Sequence, residues 1–255
     1  MLRFTRTLAP AAFALLGLGV LTLTSTGAAR AQTIVAPNAQ QNVEGNNGLR
    51  FLDDARYQTV YAASQFSALT GPTLLTQIAF RPSIGAGTSP QTQTIADIQF
   101  DLSTTSAAPD ALSSTFASNV GADNLSVFRG AFDISTANTG PAAGPRDFDI
   151  VLTFTTPFLY DPGAGNLLLD IRKFSTEQTF FFDAEDTPGD AVSNARNTTD
   201  VNAATANLNN TTGYVARFTF APAPGGVVPE PGTLALAATG LLPLARAVVR
   251  KRRKA

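Results

Sequence analysis

The fold class of this chain follows most directly from the stretch Asp147-Phe148-Asp149-Ile150-Val151-Leu152-Thr153-Phe154-Thr155. Its large apolar side chains recur at every second position, which is typical of a β-strand with one buried face. The same alternation occurs at 94–103 and 214–220. Further apolar runs between turn residues lie at 56–66, 74–80, 126–134, 166–174 and 179–183. About eight strands of this kind predict a mainly β protein, an antiparallel β-sandwich with a jelly-roll-like arrangement.

Three segments of the same region lack this alternation. The polar segment 32–48 predicts a flexible leader or an irregular first strand. The segment 184–213, rich in Asp, Asn, Thr and Ala, predicts a long surface loop. Pro109 and Gly121 can start and end one short helix between them. The β-sandwich ectodomain is therefore assigned to 49–220.

Residues 1–31 have the pattern of a secretory signal peptide. Two arginines precede a mostly apolar stretch at 8–23, and Ala29-Arg30-Ala31 provides a cleavage site with small residues in the first and third positions. Cleavage after Ala31 makes Gln32 the first residue of the mature protein, and an uncleaved anchor is the alternative. The expected export partners are the Sec translocon and signal peptidase.

A second targeting segment, 228–255, follows a Pro/Gly linker at 221–227. It contains Val228-Pro229-Glu230-Pro231, an apolar stretch at 233–249 and a basic tail at 250–254. The apolar stretch predicts a single transmembrane helix of roughly 25 Å, somewhat shorter than a hydrocarbon core of about 30 Å, and so a temporary membrane stop. An amphipathic core helix is the alternative, but the stretch has no polar face. Because basic flanks stay in the cytoplasm, we expect the ectodomain outside the inner membrane.

These C-terminal features resemble the PEP-CTERM sorting signal of bacterial secreted proteins, and Pro229, Glu230 and Pro231 match its motif residue by residue. The resemblance implies cleavage by an exosortase, a membrane-embedded enzyme similar to cysteine transpeptidases, in bacteria that make extracellular polysaccharide. It also implies transient anchoring in the inner membrane, followed by delivery to the cell envelope or extracellular matrix. The segment 158–172 resembles stretches in the ectodomains of other PEP-CTERM proteins, which implies a β-sandwich. Neither resemblance implies an activity.

Composition excludes several function classes. Residues 32–228 carry nine cations and 18 acids, so a net charge of about −9 disfavours nucleic acid as a partner. The chain has no cysteine and no histidine, which excludes Ser-His-Asp and Cys-His catalysis and histidine-bound zinc. Tryptophan is absent and tyrosine occurs only at 57, 61, 160 and 214. Stacking on a sugar ring would therefore rely on tyrosine or phenylalanine.

Two candidate sites remain among the acidic residues. Paired carboxylates can hydrolyse glycosidic bonds, with Glu177 or Glu185 opposite an aspartate, although no spacing singles out a pair. Calcium takes six to eight oxygen ligands, which flexible acidic loops can supply. One loop contains four acids within eight residues, and a solvated acidic turn is the alternative to a calcium site. These four are Asp183, Glu185, Asp186 and Asp190.

The sequence therefore predicts a non-enzymatic exported protein with a structural or adhesive role. The alternatives are a carbohydrate-binding module of the exopolysaccharide matrix and a polysaccharide-active enzyme with paired carboxylates. The expected partners are an exosortase and extracellular polysaccharide, and no cofactor other than calcium is predicted.

Overall fold

A computed structural model describes residues 31–223 of the chain. The predicted signal peptide up to residue 30, the end of the linker, the transmembrane helix and the basic tail lie outside the described residues. No helix within 31–223 is long and apolar enough to cross a membrane. The strands are β1 Gln32–Ala36, β2 Asn47–Leu49, β3 Ala55–Tyr61, β4 Thr73–Phe80, β5 Gln91–Thr105, β6 Leu125–Thr136, β7 Ile150–Tyr160, β8 Asn166–Lys173, β9 Phe182–Glu185, β10 Val192–Asn197, β11 Leu208–Asn210, β12 Gly213–Tyr214 and β13 Ala216–Pro222.

These strands form three antiparallel sheets. The first has the order β1-β13-β4-β7, the second β11-β10-β3-β8-β5-β6, and the third, a small one, β12-β9-β2. Short 3-10 helices connect some of the strands, at Asn38–Gln40, Ala63–Phe66, Ile84–Ala86 and Phe116–Ser118.

The two larger sheets pack face to face through the apolar positions that the alternation predicted. Tyr61 of β3 lies against Phe218 of β13 with their ring centroids 5.0 Å apart, and Phe66 contacts Phe218 and Tyr160. One hydrophobic cluster contains side chains from all three sheets. Full burial of one such aromatic side chain contributes about 1.5–3 kcal/mol. Because the chain has no cysteine, this packing holds the domain together without disulfides.

The small sheet closes one end of the same core. Phe182 of β9 packs on Phe51 with ring centroids 4.9 Å apart, and Tyr214 of β12 lies 5.4 Å from Phe51. The ring of Phe80, at the end of β4, contacts both Phe182 and Tyr214. These rings meet in tilted or edge-to-face geometry, which aromatic pairs prefer.

The mainly β, antiparallel prediction is confirmed, while the jelly-roll-like arrangement stays a prediction. Of the two alternatives for 32–48, the flexible leader is wrong and the first strand is correct, because β1 pairs along β13 and β2 pairs with β9. Two further local predictions are wrong. The predicted loop 184–213 contains β10, whose first residues are buried between β3 and β11. The predicted helix between Pro109 and Gly121 is reduced to the single turn Phe116–Ser118.

Candidate functional site

The two ends of the described domain lie side by side. Gln32 is an exposed residue that starts β1, and its partner in the sheet is Phe220 of β13. Directly opposed residues of antiparallel strands are about 5 Å apart at their Cα atoms. The predicted cleavage site, after Ala31, and the predicted linker, from residue 221, therefore join the domain at neighbouring positions. The other predicted processing residues lie outside the described residues: Ala29, Val228, Pro229, Glu230 and Pro231.

Of the four predicted calcium ligands, Asp183 is fully buried and paired with Arg81. The Nε atom of Arg81 donates to Asp183 Oδ2 at 2.7 Å, and the backbone N–H of Gly45 donates to Oδ1 at 2.9 Å. Burial raises the pKa of the Asp183 carboxyl to about 6, although the charge of Arg81 acts in the opposite direction. Asp183 thus joins β9 to the end of β4.

The other three predicted ligands each have separate partners. Glu185 accepts hydrogen bonds from Gln40, Asn46 and Thr187, and Asp186 accepts from Asn47 and Thr211.

Asp190 accepts from the backbone N–H of Val192 at 2.8 Å, and its Oδ2 is buried with no hydrogen-bond partner in the described part of the chain. Burial raises its pKa to about 6, and the nearby Glu185 and Asp110 add to the shift. Within 31–223 no group of three or more acidic side chains is arranged to hold a metal ion. The calcium site stays a prediction.

Of the two residue types that could stack on a sugar ring, the tyrosines do not form a surface. All four, at 57, 61, 160 and 214, are buried in the core. Among residues 31–223, Phe181 is the most exposed aromatic residue, with 41% of its area exposed and the guanidinium of Arg50 5.2 Å from its ring centroid. It borders a shallow cavity of about 370 Å³ with Arg196 and Leu208.

A second cavity, which the sequence did not reveal, lies on the outer face of the six-stranded sheet. Ile98, Phe100 and Leu102 point from β5 into the core, so the alternating Gln99 and Asp101 lie on the opposite face. We call this space of about 390 Å³ the outer-face cavity. Its lining includes Arg56, Asp101, Asp170, Arg172, Ala117 and Ala204.

The strand register brings its polar side chains together in two rows. Gln58 of β3, Asp170 of β8 and Asp101 of β5 are directly opposed across three neighbouring strands. Arg56, Arg172 and Gln99 form the adjacent row. Opposed side chains on one face have Cβ atoms about 5 Å apart. Two carboxylates and two guanidinium groups therefore lie next to one another on one face.

Asp170 is held rigidly in this cluster. Arg56 donates through Nε to Oδ1 at 3.0 Å and through Nη2 to Oδ2 at 2.6 Å, and Gln58 donates to Oδ2 at 2.8 Å. The guanidinium of Arg56 also lies 4.5 Å from the ring centroid of Phe116. This geometry is the bidentate one that fixes orientation as well as charge.

Asp101 and Arg172 are less completely paired. The side-chain amide of Gln99 donates to both carboxylate oxygens of Asp101, at 2.9 and 2.8 Å. Burial raises the pKa of Asp101 while this hydrogen bond acts in the opposite direction, and the negative charge of Asp170 contributes to the increase. The Nε of Arg172 is buried with no hydrogen-bond partner among residues 31–223.

A loop at 106–124 covers one side of the outer-face cavity. The amide of Asn119 donates to Gln58 Oε1 at 2.9 Å and to the carbonyl of Ser113 at 2.8 Å. The amide of Gln58 in turn donates to the carbonyl of Phe116. These contacts attach the loop to the sheet. Neither Glu177 nor Glu185, the glutamates considered for catalysis, lines this cavity.

In the comparison with known protein families, the C-terminal segment is the part of the chain that matches. Residues 227–253 match the family model described as the PEP-CTERM protein-sorting motif. No curated protein and no solved structure matches the chain. The matched residues include Val228, Pro229, Glu230 and Pro231, so the resemblance seen in the sequence is confirmed. The motif implies an exported protein that an exosortase processes at the membrane on its way to the cell envelope. The chain thus carries, at residues 227–253, the PEP-CTERM protein-sorting motif of exosortase substrates.

Proposed function

We propose that this is a non-enzymatic protein with a structural or adhesive role in the cell envelope or the extracellular polysaccharide matrix. The proposal rests on the match of residues 227–253 to the sorting motif. The predicted helix at 233–249 would hold the protein in the inner membrane until the exosortase cuts near Pro229-Glu230-Pro231. The mature ectodomain would then continue to its final location.

Features of the domain support this order of events. The predicted signal-peptide cleavage site and the linker join neighbouring ends of β1 and β13. A domain with this arrangement can be synthesised between two membrane segments and fold with both connections on one side. Its net charge of about −9, counted over 32–228, favours solubility outside the cell and keeps the domain from binding anionic lipid. We expect β1 to complete its sheet when the signal peptide is removed.

Substitution of the motif tests the sorting step. We expect a variant with Pro229, Glu230 and Pro231 all replaced by alanine to stay in the membrane fraction at its unprocessed size. Pro224→Ala is the matched control, because it removes a proline from the linker outside the matched residues 227–253. The control should be processed like the wild type. Processing of the triple variant at the wild-type rate would refute the proposal.

A second candidate function is carbohydrate binding, and the outer-face cavity favours it. With the tyrosines buried, this cavity replaces an aromatic platform as the polar recognition surface. Glycoside hydrolysis is less well supported by the same residues. Both oxygens of Asp170 accept hydrogen bonds from Arg56 or Gln58, so this carboxylate is poorly placed to act as a nucleophile or to activate water.

A further inference from the structure

The charges that line the outer-face cavity cancel. Arg56 and Arg172 contribute two positive charges, while Asp101 and Asp170 contribute two negative charges. A charged ligand would be repelled by one pair of groups about as strongly as it is attracted by the other pair. It would also lose its hydration on entering the cavity, with no net attraction to offset that loss. The cavity therefore favours a neutral ligand with many polar groups.

The unused hydrogen-bonding capacity specifies the type of polar group. The carboxylate of Asp101 accepts bonds from Gln99 on both oxygens and a further one from the Ser126 side chain, so one of its acceptor sites is left. The buried Nε of Arg172 is a donor without a partner in 31–223. An acceptor and a donor thus stand in adjacent rows of the sheet. A hydroxyl group both donates and accepts, so neighbouring hydroxyls on one ring complement this arrangement.

The remaining walls fit the apolar part of such a ligand. Ala117 and Ala204 are exposed small residues at the margin, and Val120 adds a partly buried apolar surface. A volume of about 390 Å³ falls within the range of small-molecule sites, roughly 300–1,000 Å³. The bidentate pair of Arg56 and Asp170 fixes the base of the cavity, which lowers the cost of ordering side chains upon binding.

We propose that the outer-face cavity binds a neutral sugar unit of a polysaccharide. Asp101 accepts hydrogen bonds from ring hydroxyls, Arg172 donates to them, and Ala117 and Ala204 contact the C–H face of the ring. This inference deepens the carbohydrate-binding candidate and rests on the proposed extracellular role, but it is independent of cleavage by an exosortase.

Titration calorimetry on the full-length protein, in a detergent without a sugar headgroup, tests the proposal. The probes are hexasaccharides of glucose, mannose and galactose, and a hexamer of galacturonic acid as the anionic counterpart. We expect at least one neutral hexasaccharide to bind and Asp101→Asn to weaken it by about tenfold or more, because a hydrogen bond to a charged group is lost. Ala117→Phe should weaken binding comparably by filling the cavity without altering its charged groups.

The matched control is Asp133→Asn. Asp133 is an exposed aspartate on the outer face of β6, outside the cavity, and its replacement should leave the affinity unchanged. The proposal is overturned if no neutral hexasaccharide binds at millimolar concentration, if Ala117→Phe binds like the wild type, or if the galacturonic acid hexamer is preferred. Because Ala117→Phe leaves the charged groups in place, misfolding of Asp101→Asn does not decide the outcome. Processing and localisation of both variants should be normal, which separates this test from that of sorting.

Discussion

Replacement of Arg81 by methionine should destabilise the domain more than any comparable change at its surface. Arg81 is 1% exposed and follows β4. It pairs with Asp183 of β9, donates to the backbone carbonyls of Gln40 and Val43 at 2.8 and 2.7 Å, and lies 4.7 Å from the ring centroid of Phe148. One side chain thus joins the four-stranded sheet, the small sheet and the segment that connects β1 to β2.

The expected loss in unfolding free energy follows from the buried groups that would lose their partner. Methionine has a similar size but no donor, so the Asp183 carboxylate would be buried without its counter-charge and two carbonyls would lose a hydrogen bond. Removal of one partner from a buried ion pair typically costs about 3–5 kcal/mol. For a domain of this size, about 4 kcal/mol corresponds to a decrease in melting temperature of about 10 °C. The loss should be larger at pH 8 than at pH 5, because protonation neutralises the stranded carboxyl.

Urea denaturation followed by far-ultraviolet circular dichroism measures this cost. Arg129→Met is the matched control, since Arg129 forms an ion pair with Asp97 in which the two side chains are 54% and 40% exposed. An exposed pair contributes about 0–1 kcal/mol, so the control should unfold close to the wild type. Equal midpoints for Arg81→Met and Arg129→Met would refute the reasoning that the buried pair holds the three parts together.

Three further predictions follow from other parts of the fold. Asp190→Asn should stabilise the protein by about 1 kcal/mol at pH 7.5 and little at pH 4. The pKa of Asp190 is raised to about 6 in the folded protein, so the wild-type protein loses unfolding free energy as the pH rises from about 4 to 6 and this carboxyl ionises. Urea midpoints at both pH values check this, and a larger gain at pH 4 would contradict it. Gly121→Ala should lower the free energy of unfolding by about 2–4 kcal/mol, because a Cβ there would lie 1.8 Å from the carbonyl oxygen of Thr104. Gly85→Ala should be tolerated, because a Cβ there would be 3.6 Å from the nearest atom. Thermal melts of the two variants check this difference. The pairing of Asp183 with Arg81 favours the solvated acidic turn over the calcium site, and excess calcium should then leave the melting temperature at its value in chelator. A clear increase with calcium would instead support the calcium site.

Residues that follow a strict alternation were predicted well. At 98–102 in β5 and 150–154 in β7 the large buried apolar side chains occur at every second position, so the buried face can be read before any partner strand is known. Strand β10 contains no such pattern. Its residues Ser193 and Asn194 are as buried as Val192, because β3 and β11 flank this polar strand. This segment, rich in Asn and Thr, therefore forms a strand because neighbouring strands pair with it, and its own sequence does not predict one.

The other local errors also have tertiary causes. Strand β1 contains only two large apolar residues, Ile34 and Val35, and is recognisable mainly through its pairing with β13. Pro109 and Gly121 suggested a helix between them, but Asp110 has a φ of 61°, which a right-handed helix does not allow. The amides of Gln58 and Asn119 hold this segment as an irregular loop instead.

The outer-face cavity shows the limit of sequence reasoning most clearly. Alternation in β5 correctly assigned Asp101 to the polar face of its strand. It could not show that Asp170 is opposed to it, because that depends on the register between β5 and β8, which are more than sixty residues apart. The sorting motif was accessible from sequence because it is a local pattern, and the comparison with known families confirmed it.

Sorting by the C-terminal motif is tested most directly by the intact mass of the protein recovered from its native host, with and without the candidate exosortase. Cleavage at the motif predicts loss of the C-terminal residues from a position near Pro229-Glu230-Pro231 only when the enzyme is present, with the N terminus at or near Gln32. A protein that retains its residues through Ala255 in the presence of the enzyme would contradict sorting by this motif.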